Sequence, residues 1–122
     1  MKTYTAFVLA TIVGLGSLNA MAAEPAKTID AVYKDKTKLE GKQVTVKGKV
    51  VKVNNGIMGR NFLHIQDGTG GKDTNDLSVT STQTAKVGDQ VTVVGKVILN
   101  KDFGAGYAYP LLVEEATVTP GK

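Results

Sequence analysis

One predicted strand places four chemically different side chains on the same face. They occupy every second position and are Arg60, Phe62, His64 and Gln66. Because alternate residues of a strand face the same side, the intervening Leu63 and Ile65 are expected to point into the core. A guanidinium, an aromatic ring, an imidazole and an amide can contact a phosphate, stack on a base or sugar ring and hydrogen-bond to polar edges. The alternative is a solvated sheet face whose aromatic residue is incidental.

The two neighbouring strands are expected to add residues to this face. Ser78 and Thr80 share it if the next strand alternates in the same way, and Lys49 and Lys52 of the preceding strand supply positive charge. Phe62 would then stack on the ligand, while Arg60 and the two lysines meet its anionic groups. This set of side chains predicts a binding site rather than a reaction centre.

Three further aromatic residues stand in or beside a glycine-containing loop, residues 100–106. They are Phe103, Tyr107 and Tyr109. Aromatic side chains beside glycines are adaptable contact residues, because loops carry recognition and large rings supply contact area. We include them among the candidate ligand-binding residues. A separate hypothesis makes them a docking surface for a partner protein.

Positive charge is concentrated in one part of the chain. The segment 27–60 holds nine Lys and Arg against three Asp and Glu, a net of +6, whereas five Lys and seven acids follow it, a net of −2. Such a basic segment attracts phosphates or acidic glycans with a strong dependence on salt. The chain has a single Arg in this segment and none after it, which argues against base-specific recognition of nucleic acid. The alternative role of these lysines is solubility and protection of sheet edges.

Several chemistries lack the residues that they need. The chain has no Cys, which excludes disulfides, thiolate metal sites, cysteine nucleophiles and a lipid-modified Cys. Ser78, Ser81 and one histidine form no recognisable nucleophile motif, so we predict a protein that is not an enzyme and needs no cofactor. Met58 and His64 offer an imidazole and a thioether, and weak copper handling is therefore an alternative. Two ligands are too few to predict a metal site.

The N-terminus has the pattern of a secretory signal peptide. Lys2 precedes an uncharged apolar stretch, residues 6–18, which is followed by the small-residue motif Ala20-Met21-Ala22. That stretch is shorter than the roughly 20 residues that cross a bilayer. We predict cleavage after Ala22, export to the periplasm, no membrane span, and one domain over residues 23–122.

Hydrophobic alternation and turn residues predict an all-β domain. A short helix is expected at 28–33, a turn at Asn54-Asn55-Gly56, and strands at 41–53, 60–66, 77–80, 90–99 and 107–118. The segments 41–51 and 88–98 are identical at 8 of 11 positions, and each has a glycine in mid-strand, Gly48 or Gly95. A missing side chain there allows a strand to bend and serve both halves of a small barrel. The pattern favours a five-stranded OB-fold barrel with a short N-terminal helix.

The same residues carry a resemblance to a known family. The segments 44–70 and 102–109 resemble the small exported OB-fold proteins of Gram-negative bacteria, which are described as nucleotide-binding-like or related to tRNA-anticodon-binding domains. Phe62 stands where that family often has Trp. The resemblance implies a non-enzymatic protein, and some members are encoded beside periplasmic nitrite reductases or multihaem cytochromes. We therefore expect a periplasmic binding module for single-stranded nucleic acid or an acidic glycan, or else an accessory protein for a periplasmic redox or stress-response partner.

Overall fold

The described part of the chain is mostly β-sheet. A computed structural model describes residues 25–104 and 106–121, and the predicted signal peptide lies outside them. Two short helices precede five strands, which are α1 (Ile29–Lys34), α2 (Lys36–Leu39), β1 (Gln43–Ile57), β2 (Arg60–Gln66), β3 (Leu77–Ser81), β4 (Gln90–Asp102) and β5 (Ala108–Pro120). The prediction of an all-β domain with five strands is confirmed, and α2 is an additional helix. Among the described residues, no helix has the length and apolar character needed to cross a membrane.

The five strands form a single sheet that closes on itself. Their order is β1-β2-β3-β5-β4, with β4 hydrogen-bonded back to β1. The neighbours are antiparallel except β3 and β5, which run parallel and pair at Val79 and Val113. Closure gives each strand two neighbours and satisfies backbone groups that an open edge would expose.

The core fills the inside of this closed sheet. Inward residues alternate with exposed ones along β1 and β4, as strand geometry requires, and most are valines, which suit a pleated half-buried surface. Helix α1 adds Ile29 and Val32, both fully buried, to the same cluster. Thr28 caps α1, since its Oγ1 accepts a hydrogen bond from the Ala31 amide at 3.1 Å. The predicted helix start at Thr28 is thereby confirmed.

Two glycines allow the long strands to bend where the sheet is tightest. A Cβ at Gly48 would lie 3.0 Å from the Gln66 carbonyl oxygen, at the point where β1 passes from β4 to β2. At Gly95 the crowding is greater, with 2.6 Å to Val113 Cγ1 and 2.9 Å to the Glu114 carbonyl oxygen. The β4–β5 register also shifts between Val94 and Lys96. Glycine is therefore required at these two positions because neighbouring strands approach too closely to leave room for a side chain.

The first hairpin turn lies four residues later than predicted. Strand β1 continues through Asn54-Asn55-Gly56 to Ile57, and the turn is the dipeptide Met58-Gly59, with φ of 53° and 79°. Ile57 pairs with Arg60, so the loop has two residues. Turns with positive φ at both positions match the twist of a hairpin. Asn54-Asn55-Gly56 has the composition of a turn but lies within β1, where the β1–β2 register is irregular between Asn54 and Ile57.

Asp67 ties the loop after β2 to the start of α1. Its Oδ2 accepts a hydrogen bond from the Ile29 amide at 2.8 Å, and its Oδ1 accepts from the Thr69 amide at 3.0 Å and the Thr69 hydroxyl at 2.6 Å. Burial by itself would raise the pKa of the Asp67 carboxyl, but these hydrogen bonds outweigh it and hold the pKa below its ordinary value. The folded state therefore stabilises the charged form of Asp67.

We expect Gly95→Ala to lower the free energy of unfolding by about 1–3 kcal/mol, the usual range for overpacking, since the new methyl group meets both a side chain and the backbone. Urea unfolding followed by circular dichroism measures the change. Gly71→Ala is the matched control, because nothing lies within 4 Å of a Cβ added there. Equal stability of the two variants would contradict the close approach of β4 and β5.

The lowered pKa of Asp67 predicts a specific loss of stability in acid. Its contribution is complete above the unfolded pKa of about 3.9 and is lost as pH falls through the lower folded pKa. Between about pH 5 and about pH 2 the wild-type protein should lose more stability than Asp67→Asn, which has no charge to lose. Urea unfolding at a series of pH values tests this, and parallel profiles for the two proteins would count against the role of Asp67.

Candidate ligand-binding face

Strand β2 presents the two faces that its sequence predicts. Leu63 and Ile65 are fully buried in the core cluster. Arg60, His64 and Gln66 are half-buried on the opposite, outer side. Cross-strand pairing sets Ser78 opposite His64 and Thr80 opposite Phe62, so these residues share the outer face as predicted.

Phe62 differs from the expectation of an open aromatic surface. Its side chain is only 1% exposed, and it lies outside the core cluster, under rings from the end of β4 and the start of β5. Its ring centroid is 5.4 Å from Phe103, 5.9 Å from Tyr107 and 5.7 Å from Tyr109. Tyr109 stacks on it at 30°, whereas Phe103 meets it nearly edge-on at 77°. Phe62 thus has no free ring face for a ligand and instead supports the three other rings.

The outer face of β3 is covered as well. Ser78 is 8% exposed and Thr80 1%, and every residue of β3 is buried. The predicted open surface across β2 and β3 is therefore absent from the described residues. Alternation along a strand shows which residues share a face. It does not show whether other parts of the chain cover that face, as they do here.

We define the aromatic cluster as Phe62, Phe103, Tyr107 and Tyr109. Two cations lie near one of its rings, that of Phe103. The Arg60 guanidinium carbon lies 5.2 Å from the Phe103 centroid, and the Lys101 ammonium nitrogen lies 5.3 Å from it. Both distances are in the range of cation–π attraction. Phe103, Tyr107 and Tyr109 are each half-buried, so part of each ring remains at the surface. Burial raises the pKa of Tyr109 and the neighbouring Tyr107 raises it further, which keeps its hydroxyl protonated.

The other end of the β2 face is organised by Asp76, a residue outside the predicted site. Its Oδ1 lies 2.8 Å from His64 Nδ1, and its Oδ2 accepts a hydrogen bond from Gln66 Nε2 at 3.3 Å. Its backbone oxygen accepts from the Tyr33 hydroxyl at 2.6 Å. Burial, and then the Asp76 carboxylate, raise the pKa of Tyr33. Asp76 thus orients the His64 imidazole and accepts one hydrogen bond from the Gln66 amide.

Lys49 and Lys52 lie beside this polar end. Lys49 pairs with Gln66 and Lys52 with His64, and both lysines are exposed. The register shifts between Val50 and Lys52, where β1 bulges. The predicted site residues therefore fall into two groups, one aromatic and cationic around Phe103 and one polar and basic around Gln66.

The two candidate copper ligands, Met58 and His64, lie on different elements. Met58 is in the hairpin turn and is 44% exposed, whereas His64 is four residues inside the strand and is engaged with Asp76. At about 3.3 Å per residue, roughly 13 Å of strand separates His64 from the beginning of β2. The pairing of Met58 with His64 is not supported by this arrangement. The described residues contain no group of three or more His, Asp or Glu side chains placed to hold a metal ion.

Comparison with known proteins shows similarity of fold. No protein-family model matches the sequence, and no curated protein matches it. A crystal structure described as a putative nucleic acid-binding lipoprotein from Klebsiella pneumoniae subsp. pneumoniae does match, with a TM-score of 0.55 and 17% sequence identity. The match covers 86% of this chain and 99% of that one. The chain therefore shares its fold with a protein of that description.

Proposed function

We propose that this protein is a non-enzymatic OB-fold binding module that takes an anionic, ring-bearing ligand, an oligonucleotide or a glycan. The strand order β1-β2-β3-β5-β4 with closure onto β1 supports the OB-fold interpretation, as do five strands around one core. The similarity in fold to a putative nucleic acid-binding lipoprotein supports a binding role. With the secretory pattern at the N-terminus, it also supports export to the periplasm.

The observation that carries the proposal is the environment of Phe103. Phe62 packs nearly edge-on against this ring, and Arg60 and Lys101 lie 5.2 and 5.3 Å from its centroid, so an aromatic surface and two positive charges occur together. Stacking of one base on an aromatic side chain contributes about 1–3 kcal/mol, and adjacent cations add attraction for a phosphate or carboxylate. Because Phe62 is buried, the surfaces available for stacking are those of Phe103, Tyr107 and Tyr109.

Of the two serines considered as nucleophiles, Ser81 is engaged within the fold. The Ser81 hydroxyl is buried and donates a hydrogen bond to the Ala116 carbonyl at 2.6 Å. Ser78 stands opposite His64, yet no hydrogen bond joins that hydroxyl to the imidazole in the described part of the chain. That the protein is not an enzyme stays a prediction. Docking of a redox or stress-response partner on Phe103, Tyr107 and Tyr109 stays a prediction. Packing against Phe62 already covers part of the surface of these three rings.

The double variant Arg60→Gln/Lys101→Gln tests the proposal. At low salt it should bind an oligothymidylate or an acidic oligosaccharide about tenfold more weakly than wild type, which corresponds to about 1.4 kcal/mol for the two lost charges. Fluorescence anisotropy with labelled ligands measures the dissociation constant. Lys38→Gln/Lys42→Gln removes the same charge from exposed positions before β1 and should bind nearly as wild type does. If neither ligand binds to wild type, or both double variants bind equally, the proposal fails.

A further inference from the structure

Two surface grooves meet at Lys47 and Gln90 and form one trough across β1. The larger groove has a volume of about 630 Å³ and lies between β1 and the end of β2. The smaller has a volume of about 300 Å³ and follows the start of β4. The polar residues that line the trough include Lys47, Lys49, Gln66, Asp67 and Gln90.

The trough arises where β1 changes its neighbour. Lys49 stands opposite Gln90 of β4 and also opposite Gln66 of β2, because β1 parts from one strand and joins the other at this residue. The bend is possible because Gly48 has no side chain to meet the Gln66 carbonyl. Two amide side chains are thereby placed on either side of a lysine. This arrangement follows from closure of the sheet and does not involve the aromatic cluster.

The chemistry of the trough suits anionic groups together with hydroxyls. Lys47 and Lys49 are both exposed and, two residues apart on a strand, point to the same side. An ammonium group contacts a carboxylate or sulfate, while the amides of Gln66 and Gln90 both donate and accept hydrogen bonds, as hydroxyl groups require. Because the two grooves continue into each other at Lys47 and Gln90, the trough fits an extended chain better than a small compact molecule.

The lining of the trough holds one carboxylate, that of Asp67. Both oxygens of Asp67 accept hydrogen bonds, from the Ile29 amide on one side and from Thr69 on the other. These hydrogen bonds fix the position of the carboxylate and favour its charged form. The balance of charge in the trough is positive, with two ammonium groups against this one carboxylate.

We propose that the trough binds a linear acidic glycan, with its carboxylate or sulfate groups on Lys47 and Lys49 and its hydroxyls on Gln66 and Gln90. This inference goes beyond the proposed function, because it places a site for anionic groups where β1 passes from β4 to β2, apart from Phe103. Nucleic acid is the less favoured occupant. Among the described residues, the lining contains neither an aromatic ring to stack on a base nor an arginine to contact a base edge.

Binding of hexagalacturonate tests the inference, with an oligothymidylate of equal charge and neutral maltohexaose for comparison. Wild type should bind hexagalacturonate most tightly and maltohexaose least. Lys47→Gln/Lys49→Gln should weaken hexagalacturonate binding about tenfold at low salt, because both ammonium contacts with the ligand are lost. The matched control is Lys38→Gln/Lys42→Gln, which has the same net charge and should bind almost as wild type does.

A second measurement uses the unmodified protein and does not depend on a variant that folds. On addition of hexagalacturonate, the NMR signals of the Gln66 and Gln90 side-chain amides should shift more than those of residues around Phe103. Larger shifts around Phe103, tighter binding of oligothymidylate, or equal binding by the two double variants would overturn the trough site. In those cases the proposed function still holds if Arg60→Gln/Lys101→Gln binds the oligothymidylate or the acidic oligosaccharide more weakly than wild type does. If no anionic ligand binds to wild type, both proposals fail.

Discussion

Burial of Phe62 beneath the β4–β5 hairpin is the contact on which the outer surface depends. A phenylalanine gains about 1.5–3 kcal/mol when it is fully buried, and aromatic pairs add about 0.5–1.5 kcal/mol beyond that. Phe62 is 1% exposed and contacts three rings of the hairpin. Those contacts position the hairpin against β2, bring Lys101 to the same ring as Arg60, and convert an expected open face into a packed one.

Closure of the sheet imposes a second constraint, at the opposite end of β2. A domain this small has no disulfide to hold it, so burial of apolar surface must stabilise it. Strand β1 achieves closure by pairing first with β4 and then with β2, and the change of partner at Lys49 produces the trough. The same bend that completes the core thus places Lys47, Lys49 and two glutamines on one polar surface.

The elements that could be predicted are those specified by local pattern. Strand β2 lies at Arg60–Gln66, as alternation of apolar and polar residues predicts, and Thr28 caps α1. The two mid-strand glycines could be recognised because their segments repeat. The turn at Met58-Gly59 could not, because Asn54-Asn55-Gly56 has the stronger turn composition and a bulge absorbs it. Burial of Phe62 depends on residues some 40 positions away. The role of Asp76 depends on the register that places it beside Gln66.

A double-mutant cycle on Phe62 and Phe103 tests the packing of the hairpin most directly. Phe62→Leu, Phe103→Leu and the double variant retain apolar side chains at both positions, and urea unfolding gives the free energy of each. Rings whose centroids lie 5.4 Å apart should show a coupling free energy. We expect about 0.5–1.5 kcal/mol in favour of the aromatic pair. Additive effects of the two substitutions would mean that the rings are not in contact, and would contradict a hairpin packed over β2.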